Sequence, residues 1–343
     1  MNITLIGASG YAGAEFARLI AMHPEFHLKH VVSAGEQGDY TENYPNLLPA
    51  YPHLKIEEYN LSVLDEDTDA YVLALPHGVS MGFVKELYEK TTKKIVDLSG
   101  DFRYRDSTIY EVWYGIEHTA KDIPAVYGLC ELNREQIRAA RVVANPGCYT
   151  TCSILALAPL VEFQAIEGNS IIIDAKSGVT GAGRKCVPGT SFALTNDNAR
   201  AYSIGTHRHT SEIEEQLSVL YGSPIALNFT PHLIPVNRGI LATCYATLRK
   251  DQSQQQIYSL FDEFYQDSKF VYLLKDRLPE IKFAAGSNHV YLSITVDTRT
   301  NRVVVVSTLD NLIKGASGQA IENLNLMFGY PEEMGLTTAA LYL

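Results

Sequence analysis

The chain has 343 residues and a formal net charge of −11, with 28 Lys and Arg against 39 Asp and Glu. With 46% hydrophobic and 20% charged residues it has the composition of an ordinary globular protein, and its length suits about two domains. The acidic balance argues against general affinity for nucleic acid or an anionic membrane surface, because both need clustered basic charge.

The first residues, Met1 to Gly7, show no basic n-region and no long apolar stretch, so no secretory leader is expected. No apolar run is long enough to predict a membrane-spanning helix. Asn2–Ile6 reads as a short buried strand. A glycine turn follows, then helical spacing from about Tyr11 to Met22 with Phe16, Leu19 and Ile20 on one face. Further strands are expected at His30–Val32, Ala70–Leu75, Lys94–Leu98 and Arg141–Ala144, alternating with helical stretches such as Val79, Phe83 and Leu87. That alternation predicts a parallel sheet covered on both faces.

The pattern changes after about residue 147. A helix is expected over Tyr149–Val161, with Pro159 as a possible kink. A strand over Ser170–Ala175, a loop over 178–206 and a helix over Thr210–Leu220 come next. Strand-like runs then cluster at 225–230, 239–249, 289–297 and 302–309, the last two joined by Thr298–Asn301 as a hairpin. The expected fold class is α/β: a Rossmann-type parallel-sheet domain over 1–147, and an α+β domain with a mixed, largely antiparallel sheet over 148–312. A C-terminal helical segment, about 313–343, is expected to pack back onto the first domain.

Gly7-Ala8-Ser9-Gly10-Tyr11-Ala12-Gly13 lies between the first strand and the first helix. Glycines there permit a tight turn, close approach of backbone to a pyrophosphate, and helix–strand packing. The helix N-terminus then offers free N–H groups to phosphate. About 20 residues on, where NAD sites place an acid, stands Ser33 rather than a carboxylate, and Glu36 lies further into the loop. A hydroxyl tolerates a 2′-phosphate, which predicts NADP over NAD, although no Arg is near.

The five cysteines are odd in number and dispersed, which fits a reducing cytoplasm rather than a disulfide framework. Cys148, in Asn145-Pro146-Gly147-Cys148-Tyr149, follows a Pro-Gly turn and opens a helix. There the helix dipole and free N–H groups stabilise a thiolate and hold a developing oxyanion. Cys130, Cys152, Cys186 and Cys244 read as buried structural thiols. His207-Arg208-His209 supplies a base and anion donors, and Glu212 is placed one turn from His209 to orient its imidazole. Arg103 and Arg184 are further anion-binding candidates. The glycines in Ser177–Arg184 suggest a lid or a nest of backbone N–H groups. The spacing of Cys148, Cys152, His207 and His209 does not match a zinc site, so no metal is expected.

These motifs, with Leu75-Pro76-His77-Gly78, Asp97–Arg103 and Lys314–Ala320, resemble the N-acetyl-γ-glutamyl-phosphate reductase family of arginine biosynthesis over nearly the whole chain. Two positions depart from it: Thr150 stands where the family often has Pro, and Cys130 where Pro usually follows Tyr127-Gly128-Leu129. The resemblance implies NADPH-dependent reductive dephosphorylation of an acyl phosphate to N-acetyl-glutamate 5-semialdehyde. It makes Cys148 the nucleophile and His209 the acid/base held by Glu212. It places Arg103, Asn145, His207 and Arg184 on the substrate. Cofactor contacts carry over to Gly7, Ser9, Gly10, Tyr11, Ala12, Gly13, Ser33, Pro76, Ser177, Gly178, Lys314 and Gly315. A cytoplasmic homodimer or homotetramer is implied, assembled through the second domain.

Two rival readings stay open on sequence. One is a related semialdehyde dehydrogenase acting on an aspartyl or a carrier-linked aminoadipyl or glutamyl phosphate. The other is a non-enzymatic dinucleotide-binding regulator, which would need none of Cys148, His209 and Glu212. The segment Lys176–His209 holds five Lys and Arg but only one acid, Asp197, so a locally basic stretch exists within an acidic chain.

Overall fold

The computed structural model describes residues 1–185 and 187–342. Cys186, expected to be a structural thiol, lies outside them. The chain divides into two compact units. The first is Met1–Pro146 with Ala316–Thr337; the second is Gly147–Gly315 with the described chain from Thr338.

The first unit is built on an eight-stranded sheet: β1 (Asn2–Ile6), β2 (His27–Val32), β3 (Gly38–Asp39), β4 (Lys55–Glu57), β5 (Ala70–Leu73), β6 (Lys94–Asp97), β7 (Val126–Tyr127) and β8 (Val142–Ala144). The spatial order is β3-β4-β2-β1-β5-β6-β8-β7. Every pairing is parallel except β3 with β4. Ile3, Leu5, Tyr71, Val72, Ile95, Val96 and Val143 are fully buried, as strands covered on both faces require. The strand order reverses at β1, which has β2 on one side and β5 on the other. Ligands of open α/β sheets bind outside such a point.

The Gly318–Phe328 helix completes this unit. Gly318 to Met327 are all buried, and the helix packs on the Cys130–Ala139 and Tyr11–Ile20 helices. Its polar residues are matched rather than solvated. Asn323 donates to the Gly128 carbonyl at 2.9 Å and to Asn145 Oδ1 at 3.0 Å. The helix begins later than the sequence pattern suggested, because Ile313–Ser317 forms a π-turn just before it.

The second unit carries a seven-stranded mixed sheet: β9 (Ile172–Ser177), β10 (Arg200–Ala201), β11 (Asn228–Leu233), β12 (Ile240–Thr247), β13 (Val271–Leu273), β14 (Val290–Asp297) and β15 (Arg302–Leu309). The order is β10-β11-β9-β12-β15-β14-β13. The pairs β11/β9 and β13/β14 are parallel and the others antiparallel. β14 and β15 form the expected hairpin, with Asp297 opposite Arg302. β11 lies three residues later than the apolar run predicted.

One face of this sheet is covered by the Cys148–Glu162 helix, whose residues Tyr149 to Val161 are all buried. A helix apolar on every side belongs at the centre of a unit. Pro159 cannot donate to the Leu155 carbonyl, and the Tyr265 hydroxyl donates to that carbonyl instead, at 2.5 Å. On the opposite face Leu241, Thr243, Tyr245, Val304 and Val306 remain partly exposed. No helix among the described residues is long and apolar enough to cross a membrane.

Candidate active site

In the first unit the glycine loop turns where the strand order reverses. Gly7 has φ +93°, and a Cβ there would lie 2.4 Å from the Ala74 carbonyl oxygen at the end of β5. A Cβ on Gly13 would meet the Gly7 carbonyl at 2.6 Å. Both glycines are therefore fixed by packing, one against a strand and one against the loop itself. The helix starting at Tyr11 has Gly10 as its N-cap and no side-chain cap, so its first-turn N–H groups have no capping acceptor from that side chain. Two tyrosines that the motif does not contain pin the loop. Tyr40 Oη donates to the Ala8 carbonyl at 2.9 Å, and Tyr44 Oη donates to the Ser9 carbonyl at 2.7 Å. Ser33, just past β2, donates its hydroxyl proton to Ser9 Oγ at 2.7 Å. Ala12 accepts from Ser317 Oγ at 2.7 Å.

Beside this loop lies a cleft of about 630 Å³, lined by Gly7, Ser33, Glu36, Tyr59, Pro76 and Phe83 among others. A glycine-cradled turn, an uncapped helix start and an adjacent cleft fit a dinucleotide.

Asp101 shapes the neighbouring loop. Its carboxylate accepts from the N–H groups of Gly78 and Met81 and from Tyr110 Oη. Arg103 is buried, and Nε and Nη2 donate to the carbonyls of Asn145 and Leu98 at 2.8 and 2.9 Å. Asn145 donates to the Ala316 carbonyl at 3.0 Å and accepts from Asn323. The contacts of these two expected substrate residues tie the ends of β6 and β8 to the returning C-terminal segment. Asp97 is fully buried, and its carboxyl is pushed up to about 6 by that burial, while Ser80 and Ser99 hydrogen bonds pull the other way.

In the second unit Cys148 is the first residue of its helix, with Gly147 as the N-cap. It is partly exposed, whereas Cys130, Cys152 and Cys244 are buried. Burial pushes the Cys152 thiol up to about 12 and that of Cys244 well above its usual range. The turn that presents Cys148 is held by Glu212, a fully buried carboxylate. Glu212 Oε1 accepts from the Gly147 N–H and lies 2.9 Å from Thr150 Oγ1, which also bonds the Gly147 carbonyl. This contact crosses 65 residues and was not legible in the motif, which suggested only a partner for His209. Thr150, one of the two family departures, thus supplies a hydroxyl that Pro would lack.

His209 opens the His209–Tyr221 helix. The rings of His207, His209, Tyr149 and Phe229 form one cluster, with His207 and His209 centroids 4.8 Å apart. The His209 N–H donates to His207 Nδ1 at 3.2 Å, which leaves the His207 proton on Nε2. Burial, aided by the Arg208 charge, drops His207 to about 4, so it is a neutral donor at pH 7 and not a cation.

Gly315 closes the other side of the cysteine: a Cβ on it would lie 2.8 Å from Cys148 Cβ. Its N–H donates to the Asp310 carbonyl at 3.0 Å. Lys314 is fully buried, with Nζ 5.3 Å from the Phe270 ring centre.

The loop after β9 differs from the open nest that its glycines suggested. The N–H groups of Gly178, Val179 and Thr180 donate to the carbonyls of Gly239, Val236 and Asn237. A Cβ on Gly178 would meet the Asn237 carbonyl oxygen at 2.6 Å. Its glycine is needed for packing, and the Ser177 hydroxyl donates to the Gly178 carbonyl. Arg184 is exposed beyond this turn. Lys176 pairs with Asp174 at 2.9 Å, which trims the local positive charge. Among the described residues no group of three His, Cys, Asp or Glu is placed to hold a metal ion.

The semialdehyde dehydrogenase NAD-binding domain matches residues 2–140, and the semialdehyde dehydrogenase dimerisation domain matches residues 148–311. The chain is 46% identical to the N-acetyl-gamma-glutamyl-phosphate reductase of Pelotomaculum thermopropionicum, covering 100% of this chain and 99% of that one. It is 47% identical to the reductase of the same name from Desulforudis audaxviator, with the same coverage, and 45% identical to that of Campylobacter jejuni over 98% of each. Among solved structures, aspartate semialdehyde dehydrogenase II of Vibrio cholerae superposes with a TM-score of 0.70 at 17% identity, covering 96% of this chain and 98% of that one. This is a likeness of fold. The chain belongs to the N-acetyl-gamma-glutamyl-phosphate reductases, a family built from the two semialdehyde dehydrogenase domains.

Proposed function

We propose that this chain catalyses the NADPH-dependent reductive dephosphorylation of N-acetyl-γ-glutamyl phosphate, releasing N-acetyl-glutamate 5-semialdehyde and phosphate. One observation carries the reading for the chain's own residues: a partly exposed Cys148 at the start of a buried helix, on a turn tied down by Glu212, with the next residue, Tyr149, in ring contact with His207 and His209.

The Cys148 thiolate attacks the acyl carbon. The carbon–oxygen bond to phosphate breaks, phosphate leaves with the electron pair, and a thioester remains on Cys148. The helix N-terminus, kept in register by Glu212 and Gly315, faces its N–H groups to the developing oxyanion. The nicotinamide, when bound, supplies the hydride that reduces the thioester. His209 then moves the proton as the thiohemiacetal on Cys148 collapses to aldehyde and thiolate. His207, neutral, donates from Nε2 to the substrate anion, and Arg184 adds charge. Arg103 and Asn145 shape the substrate side through the β6 and β8 ends. Gly7, Ser9, Gly10, Tyr11, Ala12, Gly13, Ser33 and Pro76 cradle the dinucleotide.

The reading is tested by phosphate-dependent reduction of NADP with N-acetyl-glutamate 5-semialdehyde, run beside aspartate semialdehyde. Turnover with the first and not the second is expected; the reverse refutes it. Cys148→Ser should abolish turnover while NADP binding persists.

The partly exposed face of β12 and β15 is the proposed interface of a cytoplasmic homo-oligomer. Thr243→Arg, which places a charge there, should lower the mass measured by light scattering; an unchanged mass argues against that face.

A further inference from the structure

Asp310, just past β15 in the second unit, is a fully buried carboxylate to which the proposed reaction gives no task. Its two oxygens are held by different segments. Oδ1 accepts from the Leu312 N–H at 2.9 Å, which closes a turn in its own stretch of chain. Oδ2 accepts from the Gly286 N–H at 2.8 Å and lies 3.5 Å from Arg238 Nη1. Gly286 and Arg238 stand in the segments that lead into β14 and β12. The Asp310 carbonyl meanwhile accepts from the N–H groups of Ile313 and Gly315 at 3.2 and 3.0 Å. Gly315 is the residue whose Cβ position lies 2.8 Å from Cys148 Cβ. One buried side chain thus anchors the carbonyl that holds the backbone closing on the cysteine.

Resting on the reading above that Cys148 is the nucleophile, we propose that Asp310 is a positioning residue for its thiol. It acts through Gly315. The two side-chain oxygens fix residue 310, its carbonyl fixes the following turn, and the turn sets where Cys148 sits at the start of its helix. There the free N–H groups and the helix dipole stabilise the thiolate. Arg238 supplies the counter-charge that a buried carboxylate requires.

The test is the rate of Cys148 alkylation by iodoacetamide against pH on the whole protein, beside steady-state kinetics. Asp310→Asn puts an amide where one oxygen now accepts, so one N–H donor loses its acceptor. By charge alone, loss of a carboxylate would make the thiolate easier to form and alkylation faster. Loss of position predicts the reverse: alkylation at pH 7 slower by about fivefold or more, with the midpoint of the profile moved up. It also predicts kcat lower by about tenfold or more, with KM within about threefold. Asp310→Ser keeps a short acceptor for the Leu312 N–H; it should move both readouts the same way, and it serves where Asp310→Asn does not fold. Asn311→Ala is the control. Asn311 is also buried, accepting from the Gly239 N–H at 2.7 Å and donating to Thr180 Oγ1 at 3.0 Å, so its loss removes buried hydrogen bonds that do not lead to Gly315. Its alkylation profile should match the wild type. A profile unmoved or faster in the Asp310 variants, or slowed equally in Asn311→Ala, overturns this inference and leaves the proposed reaction standing. A wild-type protein without phosphate-dependent turnover overturns that reaction, while the alkylation profiles still decide whether Asp310 holds the thiol.

Discussion

Gly315 lies so close to Cys148 that a methyl group on it would fall 2.8 Å from the cysteine Cβ. Its N–H is held by the Asp310 carbonyl, so the backbone cannot easily retreat. Gly315→Ala should therefore push the thiol out of line. Displacement of about 1 Å in a reacting group costs on the order of 10²-fold in rate. Steady-state kinetics should show that loss in kcat, with a melting temperature close to wild type. Wild-type kcat in the variant would show that the thiol has slack.

Glu212 ties the cysteine turn from the opposite side. Its loss leaves the buried Gly147 N–H and Thr150 hydroxyl without this acceptor, at a cost of about 1–3 kcal/mol. Glu212→Ala should lower stability by that amount in urea titration, and should slow Cys148 alkylation as well as turnover. Glu212→Gln, which keeps an oxygen acceptor, should recover most of the stability. An alkylation rate unchanged in Glu212→Ala would separate the carboxylate from the thiol.

Thiol chemistry should be selective. Cys130, Cys152 and Cys244 are buried, and Cys152 and Cys244 have thiols raised far above neutral pH. Iodoacetamide on the folded protein should modify the Cys148 peptide and leave those three intact until denaturant is added. Mass mapping checks this, and early label on Cys152 would contradict the packing.

Two buried groups give opposite slopes of stability with pH. His207 has a folded value near 4, below the ordinary 6.5 of the unfolded chain. Its contribution is full above pH 6.5 and is lost as pH falls toward 4, because only the unfolded state takes up the proton. Asp97 has a folded value near 6, above the ordinary 3.8. Its contribution is full below pH 3.8 and is lost as pH rises through 6. Between about pH 4 and 6 the two oppose each other. Stability of His207→Gln minus wild type should therefore rise on acidification over pH 6.5 to 4.5. The same difference for Asp97→Asn should fall over that range. Differences flat in pH would mean that neither group is shifted by its surroundings.

Tyr265→Phe removes the hydroxyl that serves the carbonyl freed by Pro159. An unsatisfied buried acceptor costs about 1–3 kcal/mol. Chemical denaturation should show that loss, with the KM for substrate unchanged. Full stability in the variant would mean that water reaches the Leu155 carbonyl.

What the sequence disclosed depended on how local the signal was. Gly7 to Gly13 and Asn145 to Tyr149 announce themselves because strand, turn and helix start are contiguous. The parallel and mixed sheets were legible for a similar reason, since Ile3 to Leu5 and Val303 to Val305 carry the periods of strands with two covered faces and one. Tyr40 and Tyr44 were not, because their hydrogen bonds to Ala8 and Ser9 join residues over 30 positions apart. Helical spacing pairs Glu212 with His209, while its contact with Gly147 depends on how two helices pack. The Ser177–Arg184 glycines misled in a different way. Gly178 does serve a close backbone approach, and the backbone it approaches is that of Asn237.

The first unit is closed only by Ala316–Thr337, which the ribosome makes after everything else in that unit. Until those residues emerge, the surfaces that Gly318–Phe328 covers stay bare, and Asn145 lacks its Ala316 and Asn323 partners. Residues 147–315 carry their sheet complete by then. Synthesis thus runs against the order of the chain: the part made in the middle can mature first, and the part begun first is sealed last. A truncation near Gly315 would release a nascent protein with its nucleotide-binding half unfinished.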